Sequence, residues 1–172
     1  MIFAQKHPCY RISSCLALLL HLSAAQAQDR FAPCRIFGEM RECIAVPLAS
    51  ENEDALAKQF ALPAGDGGTL YLVRPYTTAA RKKSRVYIDE KFIAELAPMS
   101  YLAFHLGSGL HRVKLQTEDA VDTPLQIDSG KNYFLEYDLS LWLGVLSGQL
   151  ELLNAERGQA MILQSRLAKL RP

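Results

Sequence analysis

Two histidines, His105 and His111, are the residues of this sequence whose type and spacing best fit metal chemistry. They flank Gly107-Ser108-Gly109, and a three-residue hairpin loop there would place the two histidines opposite one another on neighbouring strands. Side chains that face one another in this way have Cβ atoms about 5 Å apart, close enough to share a zinc or copper ion. No further ligand is apparent, so ordinary surface or core histidines are the alternative, and we predict no cofactor.

Cys34 and Cys43 have eight residues between them and are the only cysteines beyond residue 27. In an oxidising compartment such a pair predicts one local disulfide, worth about 2–3 kcal/mol. Metal ligation by the pair lacks a further cysteine or a nearby histidine, and two free thiols are the other alternative.

Catalysis by a nucleophile or by paired carboxylates has little support in the sequence. No serine lies in a Gly-x-Ser-x-Gly motif. Glu136 and Asp138 fall on one face of a predicted strand, which suits acid–base work, but a solvated polar face explains them equally well. We therefore predict that the protein is not an enzyme. The alternative is a periplasmic metal-binding protein or enzyme that uses His105 and His111.

A basic cluster, Arg81-Lys82-Lys83 with Arg85, precedes one predicted hairpin. Charge runs of this kind are usually solvated loops. The functional interpretation is a weak, salt-sensitive contact with anionic lipid headgroups or an acidic polysaccharide.

An apolar run, Leu139–Leu146, holds the only tryptophan and leaves a strand where a connection should begin. It either folds back to close one end of the fold or forms an exposed loop, within residues 140–149, that docks on an envelope protein or a membrane interface. The side chains predicted to make that contact are Leu141, Trp142, Leu143, Val145 and Leu146.

The start of the chain has the pattern of an export signal. Lys6 and Arg11 are followed by a largely apolar stretch from Cys15 to Ala24 and by the cleavage pattern Ala25-Gln26-Ala27. We predict cleavage near Ala27 and a periplasmic or secreted protein. A lipoprotein acylated at Cys15 is less favoured, because the apolar run follows that cysteine and would stay attached.

Without residues 1–27 the chain has 145 residues, with 17 Lys and Arg against 18 Asp and Glu. A length of this order suits one domain with a single core. The near-neutral charge gives no field for nucleic acid. No apolar run beyond residue 27 reaches the roughly 20 residues of a transmembrane helix.

The remaining sequence indicates short strands after one helix. Ser50 and Glu53 form a capping box, which predicts a helix over 51–60. Seven or so strands separated by turns then favour an all-β fold, an antiparallel β-sandwich with a short N-terminal accessory helix. We assign residues 28–49 to a disulfide-pinned extension and 50–172 to the sandwich. The predicted strands are 69–74, 85–88, 92–96, 101–106, 110–117, 124–127, 132–139 and 150–154, with turns at 89–91, 107–109 and 156–158, and 161–170 is a last strand or a helix.

Val86–Leu96 resembles the strand–turn–strand hairpin of PEGA-like surface domains. Together with Tyr71–Pro75 before it and Gly109–Leu115 and Ser129–Phe134 after it, it is similar to a bacterial family of exported proteins known as domain of unknown function 2846. The resemblance covers roughly residues 55–160. It implies a small PEGA-like or immunoglobulin-like β-sandwich of the cell envelope, with no catalytic residues to transfer. Glu90 stands where the pattern usually has glycine, so we expect a different turn type there.

Overall fold

The computed structural model describes residues 31–36, 39–76 and 78–171, with only the backbone up to residue 45 apart from the Ile44 side chain. In this part of the chain two sheets pack face to face, and two helices cover the outer face of one of them. The strands are β1 (Phe31–Ile36), β2 (Glu39–Ala45), β3 (Gly68–Arg74), β4 (Ser84–Ile88), β5 (Lys91–Leu96), β6 (Ser100–Leu106), β7 (Gly109–Gln116), β8 (Ala120–Ile127), β9 (Asn132–Trp142), β10 (Val145–Leu153) and β11 (Arg166–Leu167), and the helices are α1 (Glu51–Ala57) and α2 (Ala155–Leu163).

The strand order is β10-β9-β3-β6-β11 in the five-stranded sheet and β5-β4-β7-β8 in the four-stranded sheet. Most neighbours are antiparallel, while β3 pairs with β9, and β6 with β11, in parallel. The predicted all-β sandwich is therefore confirmed, with two parallel pairings that the sequence did not indicate.

The central strand β3 is buried on both faces, which explains its nearly continuous apolar sequence. Leu70 and Leu72 face the four-stranded sheet and join the main core. Tyr71 and Val73 point the other way, into a second core closed by the helices. The molecule therefore has three layers rather than the two of a simple sandwich.

Helix α1 begins at the predicted capping box. The Ser50 hydroxyl accepts from the Glu53 backbone N–H, and the Glu53 carboxylate accepts from the Ser50 N–H. Asp54 then fixes the helix to the sheet, because its carboxylate accepts from the Tyr101 hydroxyl at 2.9 Å and from the Leu167 N–H at 2.9 Å.

Helix α2 corrects the prediction of a turn at 156–158. Asn154 caps the helix by accepting from the Arg157 N–H at 2.9 Å, so this segment forms its first turn. Gly158 lies directly on Phe134, where a Cβ atom would come within 2.4 Å of that ring. The glycine that suggested a turn is present because the helix approaches the sheet so closely.

The predicted hairpin at Gly107-Ser108-Gly109 is wrong. β6 belongs to the five-stranded sheet and β7 to the four-stranded sheet, so this loop carries the chain from one sheet to the other. Turn residues of this kind serve both kinds of connection, and the sequence alone did not distinguish them.

The predicted leader, residues 1–27, lies outside the described residues, as do the side chains of Cys34 and Cys43. The backbone of β1 and β2 forms an antiparallel hairpin in which Cys34 is opposite Arg41. The disulfide remains a prediction.

Candidate functional site

An apolar hairpin tip, defined here as residues 141–145, is the most unusual surface of the described chain. Strands β9 and β10 pair without interruption up to Trp142 and Val145. Leu141 is 55% exposed, Trp142 76%, Leu143 89% and Val145 65%. The alternative in which Trp142 folds back to close an end of the sandwich is wrong. Of the predicted contact residues only Leu146 is buried.

The tip turns through Leu143 and Gly144, and the backbone at Leu143 suits other residue types better than leucine. Leu143 has φ of 47° and Gly144 has φ of 83°. Positive φ at both central residues defines a type I′ turn, whose first position normally holds asparagine, aspartate or glycine. Leucine in a left-handed conformation costs about 1–2 kcal/mol. Leu143 therefore neither suits its turn nor packs against the core.

Beside the tip lies the basic loop, defined here as residues 79–83. Arg74, the last residue of β3, is fully buried and holds this loop in place. Its guanidinium donates to the carbonyls of Lys82 at 2.7 Å, Thr78 at 2.7 Å and Ala79 at 3.2 Å. Burial lowers the pKa of Arg74 to about 10, which still leaves it charged at neutral pH.

A depression of about 300 Å³ separates the basic loop from the hairpin tip. Glu118 lies at its rim and pairs with Lys82 at 2.6 Å, while Arg81 is exposed. The depression is lined by Ala79, Ala80, Arg81, Lys82, Glu118, Leu141, Gly144 and Leu146. Two surfaces that the sequence suggested separately are thus one continuous surface.

The predicted basic cluster does not stay together as a whole. Lys83 pairs with Glu95 at 2.7 Å. Arg85 lies on the outer face of β4, beside Tyr87 and the other residues of a separate shallow hollow. Only Arg81 and Lys82 belong to the surface at the hairpin tip.

At the opposite end of the sandwich, His105 and His111 lie on different sheets and do not form a cross-strand pair. His111 Nδ1 lies 2.7 Å from the Asp89 carboxylate and Nε2 lies 2.9 Å from the Gly107 carbonyl. His105 Nε2 faces the Asp66 carbonyl at 2.8 Å. Both ring nitrogens of His111 thus lie against acceptors, and the hydrogen bond that the ring donates to the Asp89 carboxylate raises the pKa of His111.

The metal hypothesis therefore loses the cross-strand geometry on which it was based. Across the described ranges, no group of three or more His, Cys, Asp or Glu side chains is arranged to hold an ion.

The expected turn type at Asp89-Glu90 is also wrong. The loop keeps two residues at positive φ, 50° and 64°, although neither is glycine. Asp89 is anchored there because its carboxylate also accepts from the Arg112 N–H at 2.8 Å.

Glu136 and Asp138 do not share a solvated face, because Asp138 is exposed while Glu136 is buried. Glu136 is only 3% exposed, under helix α2 and beside Tyr76, and its carboxylate accepts from Arg157 at 2.9 Å. Burial raises the pKa of Glu136, and Arg157 opposes that shift. Arg157 therefore matches the charge of Glu136, and this contact joins helix α2 to strand β9.

Sequence reasoning missed Arg74, the residue that organises the basic loop. The available signal was alternation, because Arg74 continues the inward-facing series of Leu70 and Leu72 along β3. A charged residue at such a position requires partners, and the loop that follows supplies three carbonyls.

The fold and this surface define a small β-sandwich protein with an exposed apolar hairpin. The chain belongs to the family described as protein of unknown function DUF2846, whose model matches residues 64–147. That range includes both the basic loop and the hairpin tip.

A relative in Haemophilus influenzae, described as an uncharacterized protein, is 32% identical over 142 residues, which is 80% of this chain and 84% of the relative. No solved structure matches the chain. The described residues contain no helix long and apolar enough to cross a membrane.

Proposed function

We propose that this protein is a non-enzymatic module of the cell envelope, exported by its predicted leader, that docks on an anionic membrane surface through the hairpin tip and the basic loop. The observation that carries the proposal is the position of four exposed apolar side chains beside two cations at one end of the sandwich. Soluble proteins seldom leave such a patch exposed unless it meets a partner or a membrane.

The apolar side chains of the tip supply most of the binding free energy. Full burial of a large apolar side chain is worth about 1.5–3 kcal/mol. Trp142 suits the headgroup region, because its indole combines a large apolar ring with one hydrogen-bond donor. Leu141, Leu143 and Val145 extend the same surface.

The basic loop adds attraction to anionic lipid. A lysine or arginine near such a membrane contributes about 1 kcal/mol, and salt screens the contribution. Arg81 forms no ion pair with another residue that the structure describes, whereas Lys82 is partly neutralised by Glu118. We therefore expect a moderate preference for anionic over zwitterionic lipid.

The base of the hairpin is anchored in the main core, so we expect docking to need no folding step. Leu139 and Leu146 are buried in the main core. The Tyr137 hydroxyl lies 2.9 Å from the Thr117 hydroxyl of the facing sheet. The tip is thus presented on an anchored pair of strands, which lowers the entropy lost on binding.

The only tryptophan of the chain, Trp142, reports on docking directly. The chain beginning at Gln28 would be titrated with vesicles of phosphatidylglycerol and, separately, of phosphatidylcholine. We expect emission typical of exposed indole in buffer, and a blue shift with protection from quenching on phosphatidylglycerol vesicles. Raising the salt concentration should weaken the response.

The test variant is Leu143→Ser with Val145→Ser, which keeps the tryptophan. The matched control is Leu110→Ser, since Leu110 is 70% exposed at the opposite end of the sandwich. Loss of vesicle binding in the first variant alone supports the proposal. If Trp142 emits as an exposed indole in buffer and its emission changes with neither kind of vesicle, the surface does not dock on membranes. A protein partner is then the occupant.

A further inference from the structure

A second opening of the sandwich lies away from the hairpin tip, and it has the features of a ligand site. The chain passes from β5 to β6, and from one sheet to the other, at residues 97–99. From that corner the two strands run toward Lys91 and Leu106, and a groove of about 500 Å³ opens between the sheets there. Small-molecule sites typically have volumes of about 300–1,000 Å³.

The floor of the groove is apolar and continuous with the main core. Ile93, Phe104 and Leu106 pack against core residues but are only partly buried. Ile88 and Phe92 line one wall, and Leu170 lines the groove and remains 42% exposed. A ligand that fills the groove therefore needs an apolar segment to cover this floor.

The rim of the groove is cationic. Lys91 and Arg171 are exposed, and neither forms an ion pair with another described residue. Asp89, the acidic side chain of the rim, is already held by His111 and the Arg112 N–H. The Arg171 guanidinium lies 5.2 Å from the centre of the Phe92 ring, so the charge is positioned directly above the apolar wall.

We infer that this groove binds an anionic single-chain amphiphile, with the acyl chain on Ile93, Phe104 and Leu106 and the carboxylate or phosphate between Lys91 and Arg171. The charge of the rim excludes a cationic head, and the apolar floor requires a chain. The site shares no residue with the docking surface at the hairpin tip.

The test is calorimetric titration of the chain beginning at Gln28 with dodecanoate, lysophosphatidic acid and dodecyltrimethylammonium, each below its micelle concentration. We expect both anionic amphiphiles to bind at least tenfold more tightly than the cationic one. Their relative affinities distinguish a fatty acid from a lysophospholipid as the source. Across decanoate, undecanoate and dodecanoate, each added methylene should strengthen binding by up to about fourfold.

Two variants separate this site from the membrane surface. Lys91→Glu with Arg171→Glu should weaken dodecanoate binding at least tenfold and leave vesicle docking unchanged. Arg81→Glu, at the basic loop, should weaken vesicle docking and leave dodecanoate binding unchanged. Methyl resonances provide a second readout, because Ile88 and Ile93 should shift on binding while Ile162, beneath helix α2, should not.

The inference is overturned if dodecanoate does not bind, if dodecyltrimethylammonium binds as tightly, or if the double charge reversal has no effect. Failure of vesicle docking with intact amphiphile binding would instead reject only the function proposed for the hairpin tip.

Discussion

Two tight turns of the described chain share positive φ at both central residues and differ in their surroundings. Asp89-Glu90 and Leu143-Gly144 each join two strands through residues at positive φ. At the first turn the Asp89 carboxylate binds His111 and the Arg112 N–H, and Glu90 pairs with Lys114 at 3.0 Å. At the second turn the Leu143 side chain is 89% exposed.

The stability of the fold explains Asp89 of the first turn, but it does not explain Leu143 of the second. Folding stability accounts for Asp89, because the bonds to its carboxylate offset an unfavourable backbone conformation. Leu143 is 89% exposed, so packing against the described part of the chain does not offset its backbone conformation. A local conflict of this kind is expected at sites that serve binding rather than stability.

The largest expected effect is the loss of stability on replacing Arg74, which holds the basic loop beside the hairpin tip. Replacement of Arg74 by methionine leaves the carbonyls of Thr78, Ala79 and Lys82 without their donor at a partly buried position. We expect the free energy of unfolding to fall by about 3 kcal/mol. Urea denaturation measures this change, and Arg112→Met is the control, because Arg112 forms only an exposed ion pair with Asp122. Equal losses in the two variants would show that Arg74 does not hold the basic loop.

The second-largest expected effect is a loss of stability at the Asp89-Glu90 turn. Asp89→Ala removes both the bonds to the carboxylate and a side chain that tolerates positive φ, so we expect a loss of about 2 kcal/mol in unfolding free energy. Glu90→Ala is a matched control at the neighbouring residue, since it loses only an exposed pair and should change stability by less than about 1 kcal/mol. A larger loss of stability in Glu90→Ala would show that the Asp89 carboxylate is not what stabilises this turn.

Part of this organisation could be read from the sequence. The capping box at Ser50 and Glu53 and the strand alternation indicated α1 and most of the strands correctly. The loop 107–109 was misassigned because its residues suit a hairpin and a crossover equally. The strand pattern predicted a solvated Glu136. Its neutralising partner, Arg157, lies 21 positions later, and only the topology brings the two together.

The sequence indicated the two parts of the candidate surface, but not that they lie side by side. The apolar run around Trp142 and the cations at Arg81 and Lys82 each stood out. They lie side by side because the Arg74 guanidinium holds the loop through the carbonyls of Thr78 and Lys82. Which apolar residues stay exposed depends on where the facing sheet ends, and no local pattern encodes that.

At the hairpin tip, a single substitution should raise stability and lower binding together. Leu143→Asn places a residue that accepts positive φ at the first position of the type I′ turn, so we expect unfolding to require about 1 kcal/mol more. The same change removes one apolar contact with the membrane, and phosphatidylglycerol binding, followed through Trp142, should weaken severalfold. A Leu143→Asn variant that is less stable than the parent would show that the leucine contributes to folding after all.

The smallest effect is a pH dependence confined to the turn at Asp89. The hydrogen bond to Asp89 raises the pKa of His111, so its stabilising contribution is complete below the pKa of the unfolded chain and is lost as pH rises through the folded value. The pKa of Asp89 is lowered, chiefly by the Arg112 N–H and then by His111, so its contribution disappears only as pH falls through a still lower value. The difference in unfolding free energy between the parent and His111→Gln should therefore be greatest at mildly acidic pH and should shrink in mildly alkaline buffer. Because Asp89 is half exposed, we expect the difference to be small and to decrease with added salt. An Asp89→Asn background should abolish it, whereas a difference that stays constant with pH would show that His111 stabilises the turn by packing and not by its charge.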